Sequence, residues 1–580
     1  MLLESGVAHP LAAEEAARLA RDLYGLDVTA KSLPGEYDDN FHLIGANGAQ
    51  FVLKVMHPAR EPSFIDLQCQ ALQHLAKRAE ALVLPRVVAT QSGELQTEIT
   101  AADGTKRLVW MLTFVPGTVL AKVRPHSEEL LRSLGRLLGT VDSGLQNFSH
   151  PAAQRELKWD LSAAGWIKRY VDEIADSSQR LLVEKFLALY DSEIVPGLPR
   201  FRRSVIYGDA NDHNVLVSDA WPLPRKAVSL IDFGDMHYGV TVSEVAIAAA
   251  YAMLEKKDVL RAAASVIAGY HDVFPLHEIE IAALYNLIGM RLAVSVTNSA
   301  HRKTIKGDDA YVTVSETPAW EALERLAKIN GRFAHYTFRQ ACGLSTVPQS
   351  EKIQRWLEEN GWQAASLFDA DLRTAPSTVL DLSVGSEFLG ADPRESETSA
   401  LTRKVSEFME EAKVSIAIGR YDEARLLYTS PLFGAGASPL EERRTIHLGM
   451  DLFAAPGTTI HAPLDGVIHT LANNAAPLDY GPLVILQHDA GDAGAFVTLY
   501  GHLDKESLAR LKIGQRLARG EKFARIGTLK ENGGWPPHLH FQITLDLLGL
   551  DANFPGVAYA SQCAVWTSLS PDPNLLVGIP

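Results

Sequence analysis

A chain of 580 residues is longer than one hydrophobic core organises, so about two to four domains are expected. With 55 basic against 70 acidic side chains the net charge is −15, which disfavours nucleic acid and anionic membrane as principal partners. Three widely separated cysteines, Cys69, Cys342 and Cys563, with no CxxC pair, exclude a disulfide framework or thiolate zinc site and suit a reducing compartment.

The N-terminal segment carries an acidic residue, Glu4, where a signal would have a basic region, and then turns amphipathic, so no secretory signal is expected. Residues 11–24 read as a helix ending at Gly25. From there to about 115 the texture is strand-like (FHLIG, QFVLKV, ELQTEIT, RLVWMLTFV), interrupted by one helical run, FIDLQCQALQHLAKRAEAL. After Pro116-Gly117 the pattern is mostly helical to about 345, apart from two β-rich runs within 204–234. The apolar stretches near 244–254 and 279–296 carry Glu244, Glu280, Asn286 and Arg291, so they predict buried helices and not membrane spans. A cytoplasmic protein is expected. Residues 1–345 thus predict a two-lobed α+β domain, with an N-lobe over about 20–115 and a C-lobe over about 116–345. Residues 346–429 read as a joining segment with helices at 351–365 and 401–428. Residues 430–565 read as a small, mostly-β domain (TIHLGMDLF, GPLVILQH, AFVTLYGHL, HLHFQITL), and 566–580 as a loop-like tail.

The first chemistry-bearing segment is Val205-Ile206-Tyr207-Gly208-Asp209-Ala210-Asn211-Asp212-His213-Asn214, followed by Leu230-Ile231-Asp232-Phe233-Gly234-Asp235. Phosphoryl transfer needs a carboxylate to orient the attacking hydroxyl and accept its proton. It also needs oxygen ligands for the magnesium that bridges the nucleotide phosphates. An Asp five residues before an Asn, on a loop after a strand, can aim both into one site, and a second Asp ending the next strand supplies another ligand. The arrangement resembles the aminoglycoside phosphotransferase/choline kinase superfamily over roughly residues 20–340. That resemblance implies a protein-kinase-like fold, with ATP and Mg2+ as cofactors. It makes Asp209 the catalytic base, Asn214 and Asp232 the Mg2+ ligands, Lys54 the phosphate-contacting lysine, and the turn Gly35-Glu36-Tyr37-Asp38-Asp39-Asn40-Phe41, with Gly35 and Asn40 at the nucleotide, the phosphate-covering loop. Residues 109–115 correspond to the hinge that cradles adenine. Tyr207 replaces the usual histidine. The helix that should offer Lys54 a glutamate carries Asp66 and Gln68 instead. Asp160, Asp235 and Glu244 are the candidates for holding a substrate amine, with Tyr238 or Trp159 offering an aromatic face. The wording resembles the hydroxylysine kinase and homoserine-kinase-like branch most, which implies a small amino alcohol or hydroxyamino acid as substrate.

The second segment set is His447-Leu448-Gly449-Met450-Asp451, Tyr500-Gly501-His502 and His538-Leu539-His540. Residues two apart on a strand share a face, so His538 and His540 can enter one cavity, and catalytic zinc takes three N/O ligands plus an open position. The order H-x3-D, His, H-x-H resembles the lysostaphin/LytM-type zinc metallopeptidases over roughly residues 430–545. It implies Zn2+ held by His447, Asp451 and His540, with His502 and His538 handling the water and the oxyanion. Such enzymes act outside the cytoplasm, so two readings stay open: a peptidase with an unusual intracellular substrate, or a zinc-loaded docking or structural module.

The order kinase, joining segment, LytM-like domain resembles the N-terminal part of fusion proteins that continue into a class-III aminotransferase/phospho-lyase domain. The tail would suit a junction to such a domain, and the chain is then a fragment of something longer. An aminoglycoside-type antibiotic kinase, and a peptide or cell-wall zinc hydrolase with a regulatory kinase fold, are the alternatives. Oligomeric state is left open, a homo-oligomer included.

Overall fold

The computed structural model describes residues 10–580 except 36, 102, 220, 222, 307–315, 391, 393–396, 435, 437 and 439. The acidic start of the chain and Glu36 of the phosphate-covering turn, both used above, lie outside the described residues. The chain divides into two compact units, residues 1–342 and 343–580.

In the first unit, the helix Ala13–Tyr24 (α1) ends at Gly25, whose φ of 68° lets its N–H close back onto Arg21 O at 3.0 Å. Strands Val28–Leu33 (β1), Asp39–Gly45 (β2), Gln50–Val55 (β3), Val87–Val88 (β4), Thr97–Thr100 (β5) and Lys106–Thr113 (β6) form one antiparallel sheet of order β1-β2-β3-β6-β4, with β5 on β6. Phe41, Leu43, Leu53 and Val55 bury against Ala16, Ala20 and Tyr24 of α1. Each fully buried side chain of this kind contributes about 1.5–3 kcal/mol. The two-residue period puts Lys54 on the face opposite Leu53 and Val55, opposite Asn40 across the ladder. The helix Pro62–Arg78 (α2) starts on a proline at its first turn, where no intrahelical donor is lost.

The second lobe is built from helices Glu128–Leu145 (α3), Ser177–Leu189 (α4), Val242–Ala252 (α5), Val259–Val273 (α6) and Glu278–Lys306 (α7). Helices α3 and α6 cross with their backbones in contact. A Cβ on Gly135 would lie 2.0 Å from Val266 O, and one on Gly269 would lie 1.9 Å from Arg132 O. By length and composition Glu278–Ile305 could cross a membrane, but 83% of its apolar window is buried inside the unit, as expected of a core helix. Strands Thr118–Val119 (β7), Arg203–Ile206 (β8), Val215–Val217 (β9), Ala227–Leu230 (β10) and His237–Val240 (β11) make two small sheets, β10-β9-β7 and β11-β8, from whose ends the two aspartate loops emerge.

The second unit centres on an eight-stranded sheet. Its strands are Ser377–Val379 (β12), Ile416–Gly419 (β13), Met450–Phe453 (β15), His538–Thr544 (β22), Ala495–Gly501 (β19), Gly481–Asp489 (β18), Gly466–Asn474 (β17) and Arg516–Leu517 (β20), in that spatial order. Strand Arg444–His447 (β14) pairs with Val557–Tyr559 (β23), and Thr459–His461 (β16) with Lys522–Arg525 (β21). Three expectations need correcting. The segment read as joining, 346–429, supplies β12 and β13 to this sheet. The helix expected over 401–428 is Thr398–Glu411 only; Lys413 turns left-handed at φ 54°, and Ile416–Gly419 is a strand buried on both faces. A short apolar run has no periodicity to separate helix from buried strand. The tail is not loop-like either, since Cys563–Leu569 and Asn574–Val577 are helices. Leu569, Leu576 and Val577 are buried, and the backbone at Leu575 lies so close to Gly361 that a Cβ there would sit 1.9 Å from the carbonyl.

Candidate functional site

In the first unit, β8 ends in a turn that Gly208 makes possible. Its φ is 81°, and a Cβ would lie 2.8 Å from Asp235 O. Asp209 follows. Its Oδ2 accepts the side-chain amides of Asn211 at 2.9 Å and Asn214 at 2.7 Å, so the five-residue spacing does close on one point. The chain then runs through β9 and β10 to Asp232, which is left-handed at φ 58° and accepts from Lys54 Nζ at 3.2 Å. Tyr207 is fully buried and donates its hydroxyl to Ile231 O, tying the Asp209 loop to the Asp232 loop. Asn40 Nδ2 donates to Asp38 O at 3.2 Å, and a Cβ on Gly35 would lie 2.4 Å from that same carbonyl, so the turn closes tightly there.

Burial first, and then the charge of Asp235, push the Asp209 carboxyl well above its usual range, while Arg291 and Asn211 act in the opposite direction. The Lys54 ammonium is the largest influence on Asp232 and holds it below the usual range. Asp235 is raised by burial and by Asp232.

Several expected contacts are not made. Asp66 is 3.0 Å from His150 and 2.9 Å from Gln70, and buried Gln68 donates to Phe64 O at 3.1 Å, so neither meets Lys54. Among the described residues the lysine's carboxylate partner is Asp232. Glu244 does not line a cleft. It is fully buried in α5 and accepts the Gly208 N–H at 2.8 Å, and burial raises its carboxyl to about 7. Asp160 caps a helical turn, accepting from Ser162 N at 2.8 Å and Ser162 Oγ at 2.9 Å. Burial alone would raise it; His237 and Ser162 outweigh that and hold it low. The aromatic faces proposed for a substrate cation already carry protein cations. Arg291 lies 4.4 Å from the Trp159 ring and Lys158 4.7 Å from it, while Arg203 is 5.8 Å from Tyr238.

In the second unit, the register across β13, β15, β22 and β19 aligns Gly419, Asp451, His540 and Gly501 in one row. His447 arrives from β14 and His502, at φ 67°, from the end of β19. His447 Nε2, Asp451 Oδ1 and His540 Nδ1 form a triangle with edges of 3.2, 3.1 and 3.1 Å. His447, His502 and His538 each donate Nδ1–H to a backbone carbonyl: Arg420 O at 2.9 Å, Asn532 O at 2.8 Å and Pro536 O at 2.6 Å. His540 Nε2 faces Gln542 Oε1 at 3.0 Å, and the Gln542 amide nitrogen is committed to Ser570 and Pro555. Every inner ring nitrogen therefore presents a lone pair. Two such lone pairs and a carboxylate oxygen at this spacing repel unless a cation lies among them. Tetrahedral zinc with bonds near 2.0–2.1 Å separates its ligands by about 3.3 Å, so the donor set fits the ion. His538 Nε2 is 3.5 Å from Asp451 Oδ1, and the His502 and His538 rings are 4.3 Å apart. Burial lowers His447 to about 4 and pushes His502 well below the usual range, which keeps both lone pairs free of protons.

Arg425, hidden inside the expected helix 401–428, is fully buried and donates to Asp451 Oδ2 at 2.5 Å and Glu423 Oε2 at 2.7 Å. It leaves Asp451 one oxygen for a metal. Its only sequence signal is the apolar run Ile416–Gly419 that makes the neighbouring strand. The cavity facing the cluster is walled by Leu401, Val405, Leu427, Phe433, Tyr480 and Trp535.

A strand lysine, an Asp-x4-Asn loop and a following aspartate around one cleft between an antiparallel sheet and a helical lobe define a kinase-like phosphotransferase. Residues 29–280 match the phosphotransferase enzyme family, and residues 445–551 match peptidase family M23. The chain is 33% identical over 319 residues to the hydroxylysine kinase of Danio rerio, spanning 53% of this chain and 89% of that protein. It is 28% identical to the hydroxylysine kinase of Bos taurus, over 54% of this chain and 88% of that one. The chain belongs to the phosphotransferase enzyme family. An uncharacterized metalloprotease of Haemophilus influenzae is 30% identical over 118 residues, covering 20% of this chain and 22% of that protein. Among solved structures, a microcompartment-associated aminopropanol kinase aligns with 19% identity and a TM-score of 0.44 over 57% of this chain and 98% of its own.

Proposed function

We propose that the first unit transfers the γ-phosphoryl group of ATP to the hydroxyl of a small amino alcohol or hydroxyamino acid. The observation that carries this is the convergence of Lys54, Asp209, Asn214 and Asp232. Asp209 orients the acceptor hydroxyl and takes its proton; its raised carboxyl suits a group that must bind a proton during turnover. Asn214 turns its amide nitrogen toward Asp209, leaving its oxygen, with the Asp232 carboxylate, as an all-oxygen donor set for magnesium. Bound there, Mg2+ supplies charge neutralisation of the nucleotide phosphates. Lys54, released from Asp232, contacts those phosphates, and the turn at Gly35–Asn40 covers them. The relatives named as hydroxylysine kinases support the acceptor class. ATP turnover across amino alcohols and hydroxyamino acids, with Asp209→Asn as control, tests the assignment; no acceptor raising turnover above the control refutes it.

In the second unit, His447, Asp451 and His540 would hold zinc, which supplies Lewis-acid activation of a water. His538 and His502 are placed to hold a proton and an oxyanion. The inward lone pairs support a metal centre, and the match to family M23 supports hydrolysis of a peptide-like bond. Metal content of the purified protein against His447→Ala tests the centre; a metal-free wild type prepared without chelator counts against it. A cytoplasmic place and a phospho-lyase partner acting on the phosphorylated product belong to the same proposal.

A further inference from the structure

The histidine–aspartate cluster of the second unit lines a cavity of about 160 Å³. Away from the cluster, much of the wall comes from residues 382–433, outside the 445–551 that match family M23. Leu401 and Val405 share one apolar face of the helix Thr398–Glu411 and turn it to the cavity. Leu382 and Leu427 belong to the same buried cluster as these two. Trp535 packs against that cluster and against the one holding Tyr428 and Phe433. Because Ile416–Gly419 pairs with β15, which carries Asp451, the wall is anchored to the sheet that holds the metal ligands.

The polar side chains along this cavity beyond the cluster are already bonded within the protein. Arg425 holds Asp451 and Glu423, and Tyr428 Oη accepts from Arg425 Nη1 at 3.3 Å. Tyr480 Oη donates to Phe554 O at 3.1 Å, and Asn474 Nδ2 donates to Ala552 O at 2.9 Å. Half-buried Arg444 donates to Leu432 O, and Asp479 Oδ1 accepts the Tyr480 N–H at 2.7 Å. A ligand without side chains, such as a glycine-rich strand, would leave the leucine, valine and indole surfaces to water, which finds few partners there. An apolar cavity of about 150 Å³ is large enough to hold a benzene ring.

We infer that the second unit hydrolyses a small amide or short peptide bearing an apolar group the size of a phenyl ring beside the scissile bond, and that Leu401, Val405 and Trp535 form the pocket for that group. This rests on the zinc-hydrolase reading above. The reaction consumes one water: its oxygen bonds to the amide carbon, the C–N bond breaks, and a proton from the water ends on the departing nitrogen, giving an acid and an amine. The polar amide then faces the histidine cluster and the apolar group faces the wall, the usual division of labour in a small-ligand pocket.

Binding calorimetry on the zinc-loaded full chain compares N-acetylphenylalanine hydroxamate with N-acetylglycine hydroxamate, which share the chelating head and differ by the benzyl group. The benzyl member is expected to bind about 10-fold tighter or more, the scale for burying a side chain of that size. Val405→Phe fills the cavity from the helix, and Trp535→Ala strips its aromatic wall with less risk to folding. Each should cut the ratio to about threefold or less, with zinc content showing that the variant keeps its centre. A smaller ratio in the wild type, or one that neither variant lowers, overturns the inference and leaves the metal centre standing. No binding of either hydroxamate to the zinc-loaded chain, or no uptake of zinc, overturns the hydrolase reading with it.

Discussion

Glu244 offers a sharp test of how the Asp209 loop is supported. The residue is fully buried, with Oε2 accepting the Gly208 N–H at 2.8 Å and Oε1 without a partner. Burial raises its carboxyl from 4.5 to about 7. Because the folded value lies above the unfolded one, the folded state holds a proton in that window which the unfolded chain has released. Stability from this group is therefore intact at pH 4.5 and declines as pH rises through 7. At about 1.4 kcal/mol per pKa unit the full cost is about 3 kcal/mol by pH 8. Glu244→Gln keeps an oxygen for Gly208 but cannot ionise. The Gly208 hydrogen bond to the charged form is already contained in that shift, so the variant should gain about 3 kcal/mol at pH 8 and less than about 1 kcal/mol at pH 5. For a domain of this size that is a rise in Tm of about 3–6 °C. Calorimetry at both pH values reads it, with the kinase transition picked out as the one a magnesium–nucleotide analogue shifts upward. An equal shift at pH 5 and pH 8, or a lower Tm at pH 8, would refute the burial argument. A KM for the acceptor raised more than about tenfold would restore Glu244 as a substrate ligand.

Gly208→Ala must force a left-handed residue and push against Asp235 O, so a loss of about 1–3 kcal/mol and of most activity is expected, read by melting and turnover. Lys54→Met should remove most ATP turnover, whereas Asp66→Asn, which disturbs only the contacts to His150 and Gln70, should change the KM for ATP less than about threefold; equal effects would show that Asp66 does position the lysine. Chelation should lower the Tm of the second unit and added zinc restore it; a Tm indifferent to both would remove the metal from the fold's stability. Arg425→Met leaves Asp451 Oδ2 unpaired beside buried histidines, and zinc retention against a competing chelator should change at least about tenfold; unchanged retention would show that Arg425 does not tune the ligand.

Much of this molecule follows from local sequence. The two-residue alternation around Lys54, the left-handed stop at Gly25, the Asp209–Asn214 spacing and the H-x3-D and H-x-H pairs each encode a geometry over a few residues, and local backbone preferences suffice to express it. What the tertiary structure decided are the pairings between distant segments. Lys54 meets Asp232 and not Asp66 because β3 and the end of β10 face each other across a cleft while α2 turns Asp66 toward His150. Glu244 supports a turn 36 residues away because α5 packs beneath the loop. Arg425 reaches Asp451 only because Ile416–Gly419, indistinguishable by period from a helical turn, pairs beside β15. Burial and long-range pairing set charge, protonation and orientation, and neither is written in the spacing of neighbours along the chain.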